Sequence, residues 1–224
     1  MLHTIAALAA VSIAVFTVPA LGAGNFSTTI QNTQYEEWEE VENDASIPAP
    51  NNFVAQFGPF FVIDANTIEM NGIVDETTPA QFRKLMAQYP TIKILRMVDC
   101  PGTENDDANL SLARMVRRAG LNTHVPANGS IRSGGVELFL AGVKRTQEPG
   151  AEFGVHSWQD EDGREARDYA ANNPVHAAYV NYYVDMGFDR DTARNFYSFT
   201  NTAAPANGIH YMTGNELARY RLLN

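Results

Sequence analysis

The chain predicts an α/β fold, with strands and helices alternating around a parallel or mixed sheet. From Phe60 onward, short apolar runs bounded by turn-prone residues alternate with stretches that carry apolar residues at helical spacing. The length of 224 residues, with 45% hydrophobic and 19% charged, is that of a globular chain able to bury a core without staples. No segment repeats at a fixed period, which sets solenoids and propellers aside. Sixteen Lys and Arg against 26 Asp and Glu leave a formal charge of -10, which argues against a general nucleic-acid or anionic-membrane binder. The single cysteine, Cys100, rules out an intramolecular disulfide framework and a cysteine-based zinc site.

Taken in order, Met1 to Ala23 is apolar from Ile5 to Val18 except for Ser12 and Thr17, with Ala20-Leu21-Gly22 as a small-x-small step. This reads as a cleavable secretory signal peptide, although its first residues carry His3 and no Lys or Arg. A retained anchor needs about 20 apolar residues, more than this run supplies. The expectation is an exported protein with no stable membrane anchor after cleavage. Residues 24–52 form an acidic, solvated leader ending in a Pro-rich stretch, with Tyr35, Trp38 and Val41 spaced for one short helical turn.

The domain proper is placed at residues 53–224. Phe60-Phe-Val-Ile63 and Thr67 to Val74 read as strands around the turn residues Asp64-Ala65-Asn66. Thr78-Pro-Ala-Gln81 reads as a capping box opening a helix whose buried stripe is Phe82, Leu85 and Met86. Ile92 to Val98 is a strand, and Asp106 to Ala119 a helix with Leu110, Ala113 and Val116 inward and Gly120 past its end. Thr123 to Pro126 is a short strand, Val136 to Ala141 an apolar helix, and Phe153 to His156 another strand. Arg164 to Met186 reads as a long helical stretch interrupted near Pro174. The order βαβαβα is what predicts the layered fold.

Three segments carry chemistry. Val98-Asp-Cys-Pro-Gly-Thr103 runs a strand into a glycine, where a ligand can approach the backbone and an N–H can point outward; an ordinary strand-to-helix turn has the same pattern. Ser133 stands where a loop becomes the apolar helix, followed by Gly134 and Gly135. Its hydroxyl is near the positive end of the helix dipole, and the Gly134 amide is placed for an oxyanion. The plainer reading makes Ser133 an N-cap, and Ser130 competes for either role. His156 closes an apolar strand, from which it can face a neighbouring loop as general base to a serine, or sit satisfied in the core.

With Asn71-Gly-Ile73 ahead of them and Gly120 to Val125 and Leu140-Ala-Gly142 between, these segments resemble the Clp-protease-like branch of the Clp protease/crotonase superfamily, and in particular its exported bacterial members. The resemblance covers Phe60 to Trp158. It implies stacked ββα units with a helical C-terminal part. It implies Ser133 as nucleophile, His156 as general base, and Gly134 with Gly102 and Thr103 as oxyanion hole. Pro-Gly-Thr stands where the family has Pro-Gly-Gly, and Arg132 where it has a small residue, placing a cation beside the site. The stretch matching the third catalytic residue, Ala203 to Met212, has no carboxylate. Asn207 is the nearest candidate there, with Asp185 or Asp189 reaching by another route.

The expected function is a secreted or periplasmic serine hydrolase acting on peptides or proteins, with no cofactor and no metal. His124, His156, His176 and His210 lack ligand spacing. Family members form rings, so a homo-oligomer is expected without a fixed size. From another class comes an inactive exported binding or assembly protein on the same scaffold, favoured by the missing carboxylate, Arg132 and Thr103. An acyl-CoA enzyme is the third reading and requires retention in the cytoplasm. Cys100 reads as a packing residue, Lys144 as a solvated helix end rather than a Ser-Lys partner, and Tyr179, Tyr182, Tyr183 and Phe188 as core or interface aromatics.

Overall fold

A computed structural model of the chain describes residues 35–37 and 49–224. The signal-peptide segment and most of the acidic leader lie outside the described residues. Among the described residues, no helix is long and apolar enough to cross a membrane.

Ten strands form one forked sheet in the described residues. Its first branch begins with a meander: β2 (Ala55–Phe57), β3 (Phe60–Val62) and β4 (Thr67–Asn71) pair antiparallel. The chain then crosses through α1 (Thr78–Gln88) to β5 (Ile94–Cys100), parallel to β4. The fork lies in β5. Its first half, Ile94 to Arg96, pairs with β6 (Asn122–Val125), while Asp99 and Cys100 pair with β7 (Ser130–Arg132). β6 continues to β8 (Arg145–Gln147), and β7 continues to β9 (Glu152–Val155), both parallel. Beyond β9, β10 (Gly208–Tyr211) and β1 (Glu36–Glu37) add antiparallel. The strand-helix units of the sequence reading are present as β3-β4-α1 and β6-β7-α3, where α3 is Gly134–Leu140.

Helix α2 (Asp106–Arg118) and α3 cover the parallel strands, and Leu112, Ala113, Val116, Leu138, Phe139 and Leu140 are fully buried there. Phe139 meets Phe153 edge to face at 5.1 Å, joining α3 to β9. The C-terminal part is helical: α4 (Ala177–Asp185), α5 (Arg190–Ala203) and α6 (Gly214–Arg219) share an aromatic cluster of Tyr183, Phe188, Phe196, Phe199 and Tyr220. Aromatic pairs at these separations add to the burial of their own surface.

Several expectations are corrected. Thr78 is not the cap of a capping box. The Asp75 carboxylate accepts from the amides of Thr77 and Thr78 at 2.8 and 2.9 Å, so an acid three residues earlier satisfies the first-turn donors. Strand β5 ends at Cys100 rather than Val98, because Asp99 and Cys100 still pair with β7. Tyr35 does not open a helical turn, since Glu36 and Glu37 pair with Ile209 and Gly208; Trp38 and Val41 lie outside the described residues. The stretch from Arg164 is two single 3-10 turns, Ala166–Asp168 and Pro174–His176, before α4 begins. Pro174 lacks the amide a continuous helix would need, and Asn173 accepts from Val175 N to start the chain afresh. Helices α5 and α6 and strand β10 follow where no element was read.

Candidate active site

Three neighbouring parallel strands, β5, β7 and β9, end on the same side of the sheet. Their last residues deliver Gly102, Ser133 and His156 to one place. Crevices at the carboxyl ends of parallel strands are where open α/β sheets hold ligands.

Strand β7 turns into α3 without a spacer, so Ser133 takes a backbone conformation rare for an L residue, φ 49° and ψ -130°. Its amide donates to Gly154 O at 2.9 Å, tying the turn to β9 two residues before His156. The Ser133 side chain makes no capping bond to α3. Ser133 therefore occupies the N-cap position of α3 without bonding its side chain to the helix, and it lines the cavity. Ser130 is settled as well: its Oγ accepts from Arg132 inside β7, and it does not line the cavity.

Gly102 lies against Ser133. A Cβ built on it would stand 3.0 Å from Ser133 Cβ, and its φ of +142° is one that side-chain-bearing residues avoid. Val74 N donates to Gly102 O and Glu104 N to Val74 O, a parallel bridge that turns the Thr103 N–H away from Val74. The Thr103 hydroxyl is used locally, by the Val74 and Asn105 carbonyls and the Asn105 amide. Its methyl covers Gly134, where an added Cβ would meet it at 2.6 Å. Gly134 is the first residue of α3, so its N–H has no partner within the helix. Asn109 from α2 holds the Gly134 carbonyl at 2.8 Å. Serine, Gly134 amide and Gly102–Thr103 backbone are thus gathered.

His156 follows β9 and lines the same cavity as Ser133 and Gly134, a cavity of about 60 Å³ with room for a few waters. Its Nδ1 lies 2.8 Å from Ser157 O. A carbonyl only accepts, so Nδ1 carries the proton and Nε2 is the basic nitrogen. Burial holds the imidazole below its ordinary 6.5, while the Ser157 carbonyl and the charges of Asp106 and Glu165 pull the other way.

Asn207 is exposed, in the turn between α5 and β10, and does not line the cavity. Asp185 pairs with Arg114 at 3.1 Å, and Asp189 caps α5 through Thr192 N at 2.9 Å. Neither lines the cavity. Arg132 does not line the cavity either: its guanidinium pairs with Asp99 at 2.9 Å across β5 and β7. The Cys100 thiol is fully buried and burial pushes it up to about 12, which fits packing and not reactivity. Lys144 is exposed beyond α3, away from the cavity.

The cavity also holds residues the sequence reading missed. Glu137, one turn after Ser133, is buried at 8% exposure. Burial pushes its carboxyl up to about 7, with the Tyr183 hydrogen bond at 2.7 Å opposing and the Asp106 charge adding to the rise. The signal was a lone acid inside the apolar run Val136 to Ala141. Asp106, at the start of α2, takes a hydrogen bond from Tyr179. Asn201 and Tyr197 come from α5, whose existence was not foreseen. His124 and His210 meet acids elsewhere, and among the described residues no cluster of His, Cys, Asp and Glu could hold a metal ion.

No protein-family model matches the chain, and no curated protein matches it. Among solved structures, a substitution mutant of ClpP1 from Listeria monocytogenes is similar at 15% identity and a TM-score of 0.50, covering 71% of this chain and 90% of that one. The 1510-N membrane-bound stomatin-specific protease, as a mutant in complex with a substrate peptide, is 15% identical with a TM-score of 0.48, covering 71% of this chain and 72% of that one. A second mutant of that protease gives the same identity and TM-score over 71% of this chain and 76% of that one. The likeness to ClpP1 carries the fold alone: the chain has a Clp-protease-like fold.

Proposed function

We propose that the chain is an exported serine hydrolase that cleaves peptides. The observation that carries this reading is the meeting of Ser133 and His156 in one small cavity, with the Ser133 hydroxyl unused by its own helix. In the reaction, His156 Nε2 takes the Ser133 proton as Oγ attacks the peptide carbonyl. The Gly134 and Thr103 amides receive the oxyanion, at the N-terminal end of α3. The imidazolium then protonates the leaving amine, and water hydrolyses the acyl-enzyme by the same steps in reverse order. The Ser157 carbonyl takes the orienting part usually given to a carboxylate. It fixes the tautomer but stabilises the imidazolium less than a full negative charge, which leads to a slow enzyme. Export belongs to the same reading and rests on the apolar run from Ile5 to Val18 with its small-x-small step.

Labelling with a fluorophosphonate probe tests the serine directly. Wild-type protein should label, and Ser133→Ala and His156→Ala should both abolish it while keeping the wild-type melting temperature within a few degrees. Folded wild-type protein that stays unlabelled would instead point to an inactive binding protein on this scaffold.

A further inference from the structure

Beside the Ser133–His156 cavity lies a larger one, of about 560 Å³, between the two 3-10 turns and helices α4 and α5. Its size is that of an ordinary ligand site, whereas the smaller cavity holds little more than the reacting group. The two are neighbours with Tyr197 and Asn201 as shared lining residues. Tyr197 is fixed as the dividing post: its hydroxyl takes Trp158 Nε1 at 2.8 Å and meets His176 Nδ1 at 2.7 Å.

The charge of this cavity runs against that of the chain. The whole sequence carries -10, yet Arg167, Arg190 and Arg194 line the cavity, and no Asp or Glu is among its described lining residues. Their existing partners are long or weak. Arg194 reaches Asp191 at 3.9 Å, Arg167 meets both Glu165 oxygens at 3.4 Å each, and Arg190 donates to the Asn181 amide oxygen at 3.5 Å. A carboxylate placed among them could take shorter, paired hydrogen bonds from a guanidinium. Asn172 and Asn173 add amides along the wall. The smaller cavity, by contrast, has the carboxyls of Asp106 and Glu137 on its walls and no Arg or Lys among its described lining residues.

We propose that this arginine-lined cavity is the subsite for an acidic segment of the peptide substrate, lying to one side of the bond presented to Ser133. The proposal rests on the hydrolase reading for its substrate, but its binding test does not depend on turnover.

The test uses the full chain carrying Ser133→Ala and two fluorescein-labelled octapeptides, alternating Gly-Glu and alternating Gly-Gln, followed by fluorescence anisotropy. The Glu peptide should bind about tenfold more tightly than the Gln peptide, and the preference should shrink as NaCl is raised. Adding Arg190→Gln and Arg194→Gln should bring the two peptides within about twofold, and Arg190→Lys with Arg194→Lys should retain part of the preference. These side chains are exposed, and a melting curve confirms that the variants fold. Equal binding of both peptides by the arginine-bearing chain overturns the proposal, as does a preference that survives loss of both arginines. Fluorophosphonate labelling of wild-type protein reports the serine separately. A Glu preference without labelling leaves the cavity an acidic-peptide site and removes the hydrolase; labelling without a Glu preference does the reverse.

Discussion

A Cβ built on Gly102 would lie 3.0 Å from Ser133 Cβ and 3.4 Å from Ser133 Oγ, so the loop after β5 rests directly on the turn after β7. That contact depends on glycine twice, through space and through its φ of +142°. Gly102→Ala should destabilise the fold by about 1–3 kcal/mol and slow fluorophosphonate labelling of Ser133 at least tenfold. Urea melts and labelling time courses check the two effects. A variant that loses stability but labels at the wild-type rate would remove the Gly102 loop from the oxyanion site.

Ser133 itself is held at positive φ, which a serine adopts at a cost and glycine adopts freely. Ser133→Gly should therefore raise stability by about 1 kcal/mol, whereas Ser133→Ala, which keeps the Cβ, should leave it near wild type. Both should be silent to the probe. The contrast between Gly and Ala isolates backbone strain from loss of the hydroxyl. If Ser133→Gly is no more stable than Ser133→Ala, the turn is not strained.

What the sequence disclosed follows the range of the forces involved. Gly102, Ser133, Gly134 and His156 could be placed together because each closely follows a strand, and a strand running into glycine or a helix is a local pattern. Glu137, Asp106, Tyr197 and Asn201 were not, because α2, α4 and α5 bring them together by packing across long stretches of chain. Strands β7 and β8 are three residues each, too short for alternation to register. Helix α5 had a local signal in Asp189-Arg-Asp-Thr192, where Asp189 accepts from Thr192 N, but its aromatic stripe was not read. Asn207, in the stretch Ala203 to Met212 that the resemblance matches to a third site residue, does not line the cavity. His156 Nδ1 lies 2.8 Å from the Ser157 carbonyl, and a backbone contact has no residue signature.

Helix α1 tests the capping correction. Asp75 accepts from two amides and from both the Thr77 and Thr78 hydroxyls, while Thr77, at the cap position, makes no side-chain cap bond. Asp75→Ala should cost about 1–2 kcal/mol, and Thr77→Ala only a few tenths. The order of the two in denaturant midpoints decides which residue starts the helix.

The Glu137 carboxyl makes stability and chemistry depend on pH in a linked way. Below about 4.5, its ordinary value, it is neutral in folded and unfolded chains alike. Between 4.5 and about 7 the unfolded chain releases the proton while the buried carboxyl keeps it, so stability falls as pH rises and levels off above about 7. The gap corresponds to roughly 3 kcal/mol. Glu137→Gln mimics the neutral form and keeps an acceptor for Tyr183, so its melting temperature should vary less across this window and exceed wild type at pH 8. At the serine, two ionisations should bracket the labelling rate. Burial holds His156 below 6.5, so the base form and the rising limb lie under that value. Ionised Glu137 opposes an oxyanion forming in the same cavity, so the rate should fall about three- to tenfold through pH 7. Labelling of Glu137→Gln should keep the rising limb and lose the falling one. A falling limb that persists in the variant would assign it to a group other than Glu137.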